Sequence, residues 1–197
     1  MSTEPPCTEP PCPEPLATDP FAAEPPSPRS SVPGAAPDPR LFRRVVGRFA
    51  TGVAIVTTVD DGVDHAMTVN AFTSVSLDPL LVMFCAERTA RFHDTVLASG
   101  TWAVSVLPDG LRAASEHLAT RGRPIAGQLD GYRVHRGPVT GAPVLSEALA
   151  AVECRTHAVH PAGDHSIVVG EVLSLDVPNP DAEPLIFHDG RYRRIAR

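Results

Sequence analysis

The sequence predicts a mainly β domain, an antiparallel barrel with a few short capping helices. Three observations point there. Apolar and β-branched runs recur at residues 53–59, 80–85, 101–107, 149–160 and 166–177. Tight turns join many of the strands directly, which favours an antiparallel sheet over a βαβ fold. No Gly-x-Gly-x-x-Gly follows any strand, so a Rossmann nucleotide site has no support.

The elements follow in order. Residues 3–12 repeat in tandem as Thr-Glu-Pro-Pro-Cys, and thirteen of the 22 prolines lie between Pro5 and Pro39. So polar and Pro-rich a stretch cannot bury enough surface to offset the ordering of its backbone, and residues 1–37 are expected to be disordered. Structure is expected from Asp38-Pro39, an N-cap followed by proline at the first helical position. Phe42, Val45, Val46 and Phe49 then follow the spacing of one buried helix face, with Gly52 closing the element.

Val53–Val59 and Val63–Val69 flank Asp60-Asp61-Gly62 and read as a hairpin. Phe72–Leu77 alternates, Asp78-Pro79 turns, and Leu80–Cys85 is continuously apolar, as expected of a strand buried on both faces. A short helix is expected over residues 89–99, ending at Gly100, with a strand from Thr101 to Leu107. Leu111, Ala114, Ser115 and Leu118 fit one helix face. Residues 120–146 are Gly/Pro-rich and read mostly as loop. Long strands over 149–160 and 166–177 join at Pro161–His165, and short strands near 185–188 and 192–195 finish the chain. The expected total is seven or eight strands and about three helices.

Composition narrows the function. The chain of 197 residues carries a formal charge of −6. Six acids and one base lie before Arg40, leaving 16 Arg against 17 acids over residues 40–197. A near-neutral domain lacks the footprint of a nucleic-acid binder. No basic amphipathic helix points to a membrane surface, and no apolar run reaches the ~18 residues of a membrane span. All 17 bases are Arg. A chain without Lys can build neither a P-loop nor a Schiff-base site nor a kinase site. Four cysteines without zinc spacing or a signal peptide suggest a cytoplasmic protein with reduced thiols.

Few patterns suggest catalysis by side chains. His157 and His160 point to opposite faces of a strand and cannot share a metal ion without a bulge. His160 and His165 flank a turn, but no third ligand is evident. There is no Gly-x-Ser-x-Gly elbow. Cys85, ending the most apolar strand, reads as a packed, inert thiol. The unusual stretch is residues 67–76, Met-Thr-Val-Asn-Ala-Phe-Thr-Ser-Val-Ser, rich in hydroxyls between two apolar strands. Its polar groups need partners. They either satisfy a bend or face a polar, planar ligand.

The residues Phe49-Ala50-Thr51-Gly52-Val53, Met67 to Pro79 and Cys85-Ala86-Glu87-Arg88-Thr89-Ala90-Arg91 resemble the flavin reductase family. So do Gly163-Asp164-His165, Gly170-Glu171-Val172 and His188-Asp189-Gly190-Arg191-Tyr192. The resemblance spans about residues 41–195. It implies the FMN-binding split β-barrel and the activity of reductase components in two-component flavin monooxygenases. FMN or FAD and NADH or NADPH are the implied cofactors. A homodimer and a partner monooxygenase, reached through diffusible reduced flavin, are the implied associations.

The resemblance also assigns roles. Met67, Thr68, Val69, Asn70 and Ala71 are expected along the flavin, largely through backbone groups. Ser74 and Ser76 are expected to donate to ribityl or phosphate oxygens. Cys85, Ala86, Thr89 and Arg91 belong to the phosphate-side segment, with Thr89 at a helix N-terminus that favours an anion and Arg91 adding a charge-assisted contact. His165 and Tyr192 are expected on the nicotinamide side. Hydride transfer needs no general acid, so no catalytic residue is assigned. Two alternatives remain open at this level: a split-barrel flavoenzyme acting directly on an organic substrate, and a non-catalytic flavin-binding module.

Overall fold

The computed structural model describes residues 36–195. The tail expected over residues 1–37 lies outside the described residues, apart from its last two.

Helix α1 (Pro39–Val46) begins as expected: the Asp38 side chain accepts from the Arg40 backbone N–H, and Pro39 sits at the first helical position. Two expectations fail here. The helix stops at Val46 with Gly47 as its cap, and Gly52 lies in strand β1 (Thr51–Gly52). The apolar face is also open. Phe42 is 62 % exposed, Val45 63 %, Val46 51 % and Phe49 75 %. Periodicity reported an amphipathic helix correctly, but among the described residues no surface covers its apolar face.

Strands β2 (Ala54–Asp60) and β3 (Val63–Val69) form the expected hairpin. Asp61 and Gly62 both have positive φ, at 47° and 76°, which matches the twist of the flanking strands. Strands β4 (Phe72–Leu77) and β5 (Leu80–Glu87) pair across Asp78-Pro79, whose peptide is cis. Helix α2 (Arg91–Ser99) follows, then β6 (Thr101–Val106). A 3-10 turn at Asp109–Leu111 leads into helix α3 (Arg112–Ala119), which buries Ala114, Ser115 and Leu118. The stretch read as loop contains a small hairpin, β7 (Val134–Arg136) with β8 (Pro143–Leu145). The long strands are β9 (Ala150–Ala162) and β10 (His165–Asp176). Strands β11 (Ile186–His188) and β12 (Arg191–Arg193) end the described chain. The described residues thus hold twelve strands rather than seven or eight, because several are only two or three residues long.

The domain is mainly β. Seven strands form one antiparallel sheet in the order β3-β2-β6-β9-β10-β5-β4. Strands β3 and β4 are consecutive in sequence yet occupy opposite edges. Only Asn70 and Ala71 join them, a reach of roughly 10 Å. The two edges must therefore approach each other at that end, although no ladder pairs them.

Alternation along β2 builds both sides of the core. Ala54 and Val56 face a cluster with Phe84, Trp102, Val168 and, from α2, Phe92 and Val96. Val53 and Ile55 face a second cluster with Leu107, Leu145, Leu185 and, from α3, Ala114 and Leu118. Phe84 and Trp102 meet edge to face, 4.9 Å between centroids. Strand β5 departs from its sequence reading: Val82, Phe84 and Ala86 are buried, whereas Leu81, Met83 and Cys85 are half-buried and Leu80 is exposed. Its apolar run buries one face fully.

Candidate functional site

A cavity of about 500 Å³ opens where the two sheet edges approach. Strand β3 and the Asn70-Ala71 link form one wall, and the end of β5 with the turn into α2 forms another. The end of α3 and the loop 120–128 form a third. His165 stands at the start of β10, in register with Glu87 of β5.

The structure brings together most of the expected residues. Met67, Thr68, Val69, Asn70 and Ala71 line the cavity, as do Cys85, Thr89, Arg91 and His165. Hairpin pairing with β2 fixes residues 67–69, and the Ala71 carbonyl accepts from the Cys85 backbone N–H at 3.1 Å. The Thr68 hydroxyl donates to the Ser115 carbonyl at 2.8 Å, anchoring this wall to α3. Cys85, expected as a packed thiol, is only half-buried and lines the cavity, and that partial burial raises its thiol above the ordinary value.

Thr89 does not cap a helix. The N-cap of α2 is Ala90, which makes no side-chain cap, and the Thr89 hydroxyl donates to Glu87 Oε1 at 2.9 Å. Glu87 also pairs with Arg121 at 2.6 Å. These two donors hold the Glu87 carboxyl below its ordinary value, the Thr89 bond having the larger effect. His165 turns its Nδ1 toward Asp164 Oδ1 at 2.8 Å, and its side chain is 41 % exposed. That bond lowers the Asp164 carboxyl. The Arg88 backbone N–H donates to the Asp164 carbonyl at 2.9 Å, tying this turn to the end of β5.

Four expected residues lie elsewhere. Ser74 is exposed on the edge strand β4, and Ser76 accepts from the Asp78 backbone N–H at 3.2 Å; neither lines the cavity. Ala86 is fully buried, facing the core because alternation puts it on the opposite side of β5 from Cys85. Tyr192 packs instead of lining the cavity. Its hydroxyl meets Ser115 Oγ at 2.8 Å, its ring lies edge-on to Phe187, and the Arg112 guanidinium stacks 5.2 Å from the ring centroid. Sequence position near the end of the chain gave no sign of that packing.

Sequence reading missed the 120–128 loop, which contributes Arg121, Arg123, Ile125 and Gln128 to the wall. The available signal was Arg121-Gly122-Arg123, two bases directly after a helix. Arg123 is half-buried, its Nη1 donates to the Thr120 carbonyl at 2.9 Å, and its Nη2 donates to the Ala66 carbonyl. Its buried Nε–H has no hydrogen-bond partner.

Outside the cavity, the pairing of β9 with β10 shifts register between Val169 and Gly170, leaving His157 as the extra residue. The bulge gathers no ligand set: no group of three or more His, Cys, Asp or Glu side chains able to hold a metal ion occurs among the described residues. No helix among them is long and apolar enough to cross a membrane.

Comparison with known proteins agrees with this architecture. Residues 46–196 match the flavin reductase like domain. The chain is 40 % identical over 174 residues to an NADH-dependent FAD reductase of Streptomyces globisporus, covering 86 % of this chain and 94 % of that one. It is 36 % identical over 165 residues to HsaB, the reductase subunit of a flavin-dependent monooxygenase of Rhodococcus jostii, covering 84 % and 82 %. The structure of BorF, flavin reductase component of a bacterial two-component tryptophan halogenase, superposes with a TM-score of 0.76 at 40 % identity, covering 81 % and 99 %. The NADH:FAD oxidoreductase SgcE6 of Streptomyces globisporus, solved with NAD and FAD fragments, superposes with a TM-score of 0.75 at 40 % identity, covering 80 % and 93 %. With a match across most of its length and relatives at this identity, the chain belongs to the flavin reductase like domain family.

Proposed function

We propose that this chain is an NADH-dependent flavin reductase that supplies reduced flavin to a separate monooxygenase. The carrying observation is the cavity at the Asn70-Ala71 link, with His165 on one side and arginines on another. Relatives named as NADH-dependent FAD reductase and as monooxygenase reductase subunits support the same reading.

The residues present fit a phosphorylated flavin. The volume lies within the roughly 300–1,000 Å³ typical of small-molecule sites. The walls offer backbone of residues 67–71 for a planar ring edge, and the buried, unpartnered Arg123 Nε–H is suited to an anion. Bound flavin and nicotinamide supply the redox chemistry, a hydride passing from nicotinamide C4 to flavin N5. The protein contributes position. Residues 67–71 hold one ring, Arg91 meets the phosphate side, and His165 orients the nicotinamide. Asp164 accepts from His165 Nδ1 and so presents Nε2 to the incoming cofactor.

On this reading the seven-stranded sheet is a split barrel, with Asn70-Ala71 crossing the split. The active form is a homodimer acting in the cytoplasm, and the open apolar face of α1 is part of its subunit contact. The domain covers residues 38–197, preceded by a disordered tail. The test is NADH consumption by the purified chain with and without added FAD or FMN. Oxidation that requires free flavin supports the reductase. Oxidation that requires an organic substrate instead points to a flavoenzyme holding its flavin, and no turnover points to a binding module.

A further inference from the structure

Three polar side chains outside the cavity wall form a row. His93, in the first turn of α2, turns its Nδ1 to Asp94 Oδ1 at 2.7 Å and its Nε2 to Ser166 Oγ at 2.9 Å. A carboxylate only accepts, so Nδ1 donates, and in the neutral ring Nε2 accepts from the Ser166 hydroxyl. The Asp-His-Ser order matches that of a hydrolytic triad. Burial argues against that use. His93 is 8 % exposed and Ser166 5 %, and neither lines the cavity, so no ester or amide carbonyl reaches the serine oxygen.

The row instead joins two parts of the cavity wall. Ala90, Arg91 and Phe92, at the start of α2, line the cavity, and so does His165 at the start of β10. His93 directly follows Phe92. Ser166 directly follows His165, and alternation turns it to the opposite face of β10. Among the described residues, His93–Ser166 is the one side-chain hydrogen bond between α2 and β10, and it links positions 73 apart in the chain. Both partners are buried, so removing either one leaves the other without its acceptor or donor and without water to replace it.

We infer that His93 is a positioning residue for hydride transfer: through Ser166 it fixes the separation between His165 and the start of α2. The inference rests on the flavin reductase reading. There Arg91 meets the phosphate side of the flavin and His165 orients the nicotinamide, so the buried bond sets how the two rings meet. A displacement of about 1 Å between reacting groups can cost roughly 100-fold in rate. His93 itself lies outside the cavity and acts only through its neighbours.

The test uses the full chain and three variants. His93→Leu fills the space without a polar atom, His93→Gln keeps an amide that can meet Ser166, and Ser166→Ala removes one oxygen. In His93→Leu and Ser166→Ala, kcat with NADH and added flavin is expected to fall about tenfold, while flavin affinity stays within about twofold. His93→Gln should stay within about threefold of the parent. The isotope effect from NADH deuterated at C4 should rise in the two slow variants as hydride transfer becomes limiting. Combining His93→Leu with Ser166→Ala should be no worse than either alone, because both remove the same bond. NMR of the His165 imidazole reads the brace without turnover. Its signals should move in His93→Leu and Ser166→Ala and return toward the parent in His93→Gln. Parent kcat in Ser166→Ala overturns the inference, even if His93→Leu does not fold. Losses that add in the double variant also overturn it, since the two side chains would then act separately. A parent that oxidises no NADH with flavin present would sink the reductase reading instead, and the His165 signals then decide the brace: unmoved in Ser166→Ala, it falls as well.

Discussion

Gly170 lies against the indole of Trp102 with no room for a side chain. A Cβ on Gly170 would fall 2.2 Å from Trp102 Cζ2, 2.7 Å from Cη2 and 3.0 Å from Cys154 Cβ. Trp102 is fully buried, and its Nε1–H donates to Thr156 Oγ1 at 3.1 Å. Thr156 is also the register partner of Gly170, next to the bulge at His157. The glycine therefore admits the largest core side chain between two strands. Gly170→Ala is expected to lower unfolding stability by about 1–3 kcal/mol through overpacking, read by urea denaturation. Trp102→Phe in the same chain should recover part of the loss. Equal melting of Gly170→Ala and the parent would mean that β10 shifts freely.

His165 is expected to act on the nicotinamide alone. His165→Ala should raise the KM for NADH about five- to tenfold while flavin affinity stays within about twofold. Steady-state kinetics paired with flavin titration decides this. Unchanged KM would remove His165 from the site.

Glu87 gives the cavity rim a pH dependence with a defined sign. Its folded-state carboxyl lies below the ordinary value of 4.5, because Thr89 and then Arg121 donate to it. Its contribution is present above about pH 4.5 and is lost as pH falls through the lowered folded value. Glu87→Gln should melt about 1–3 °C below the parent at neutral pH, a small effect suited to a solvated pair. The two melting curves should converge in acid. A gap that persists at low pH would show that charge is not the cause.

Alkylation should distinguish the two domain cysteines. Burial pushes the Cys154 thiol up to about 12, and the neighbouring Glu153 charge adds to it. Cys85 is less buried and lines the cavity. At pH 8, mass spectrometry should find Cys85 labelled slowly and Cys154 not at all. Added flavin should slow Cys85 further. Labelling of Cys85 that flavin leaves untouched would move the flavin away from β5.

The apolar face of α1 should govern oligomeric state. Phe42→Asp with Val45→Asp is expected to convert a dimer to a monomer in sedimentation, with the fold retained by circular dichroism. Both side chains are more than half exposed in the single chain, so the changes cost little within it. A parent chain that sediments as a monomer would exclude the dimer directly.

Much of this was legible beforehand. The hairpin at Asp61-Gly62, the cap at Asp38 and the buried face of α3 follow from turn chemistry, capping and periodicity, all of which act over a few residues. The run from Met67 to Ala71, with Cys85, Thr89, Arg91 and His165, was expected at one site and lines one cavity. Tertiary structure decided the rest. It placed β3 and β4 at opposite edges of one sheet with two residues between them, opening the cavity there. It turned Ala86 into the core and packed Tyr192 against it, left Ser74 and Ser76 outside the cavity, and brought Arg123 from the loop after α3 to the side of Arg91. Local patterns record which face of a segment is apolar or polar. Which surface that face meets depends on contacts between residues far apart in the chain, and these exist only once the sheet has curled.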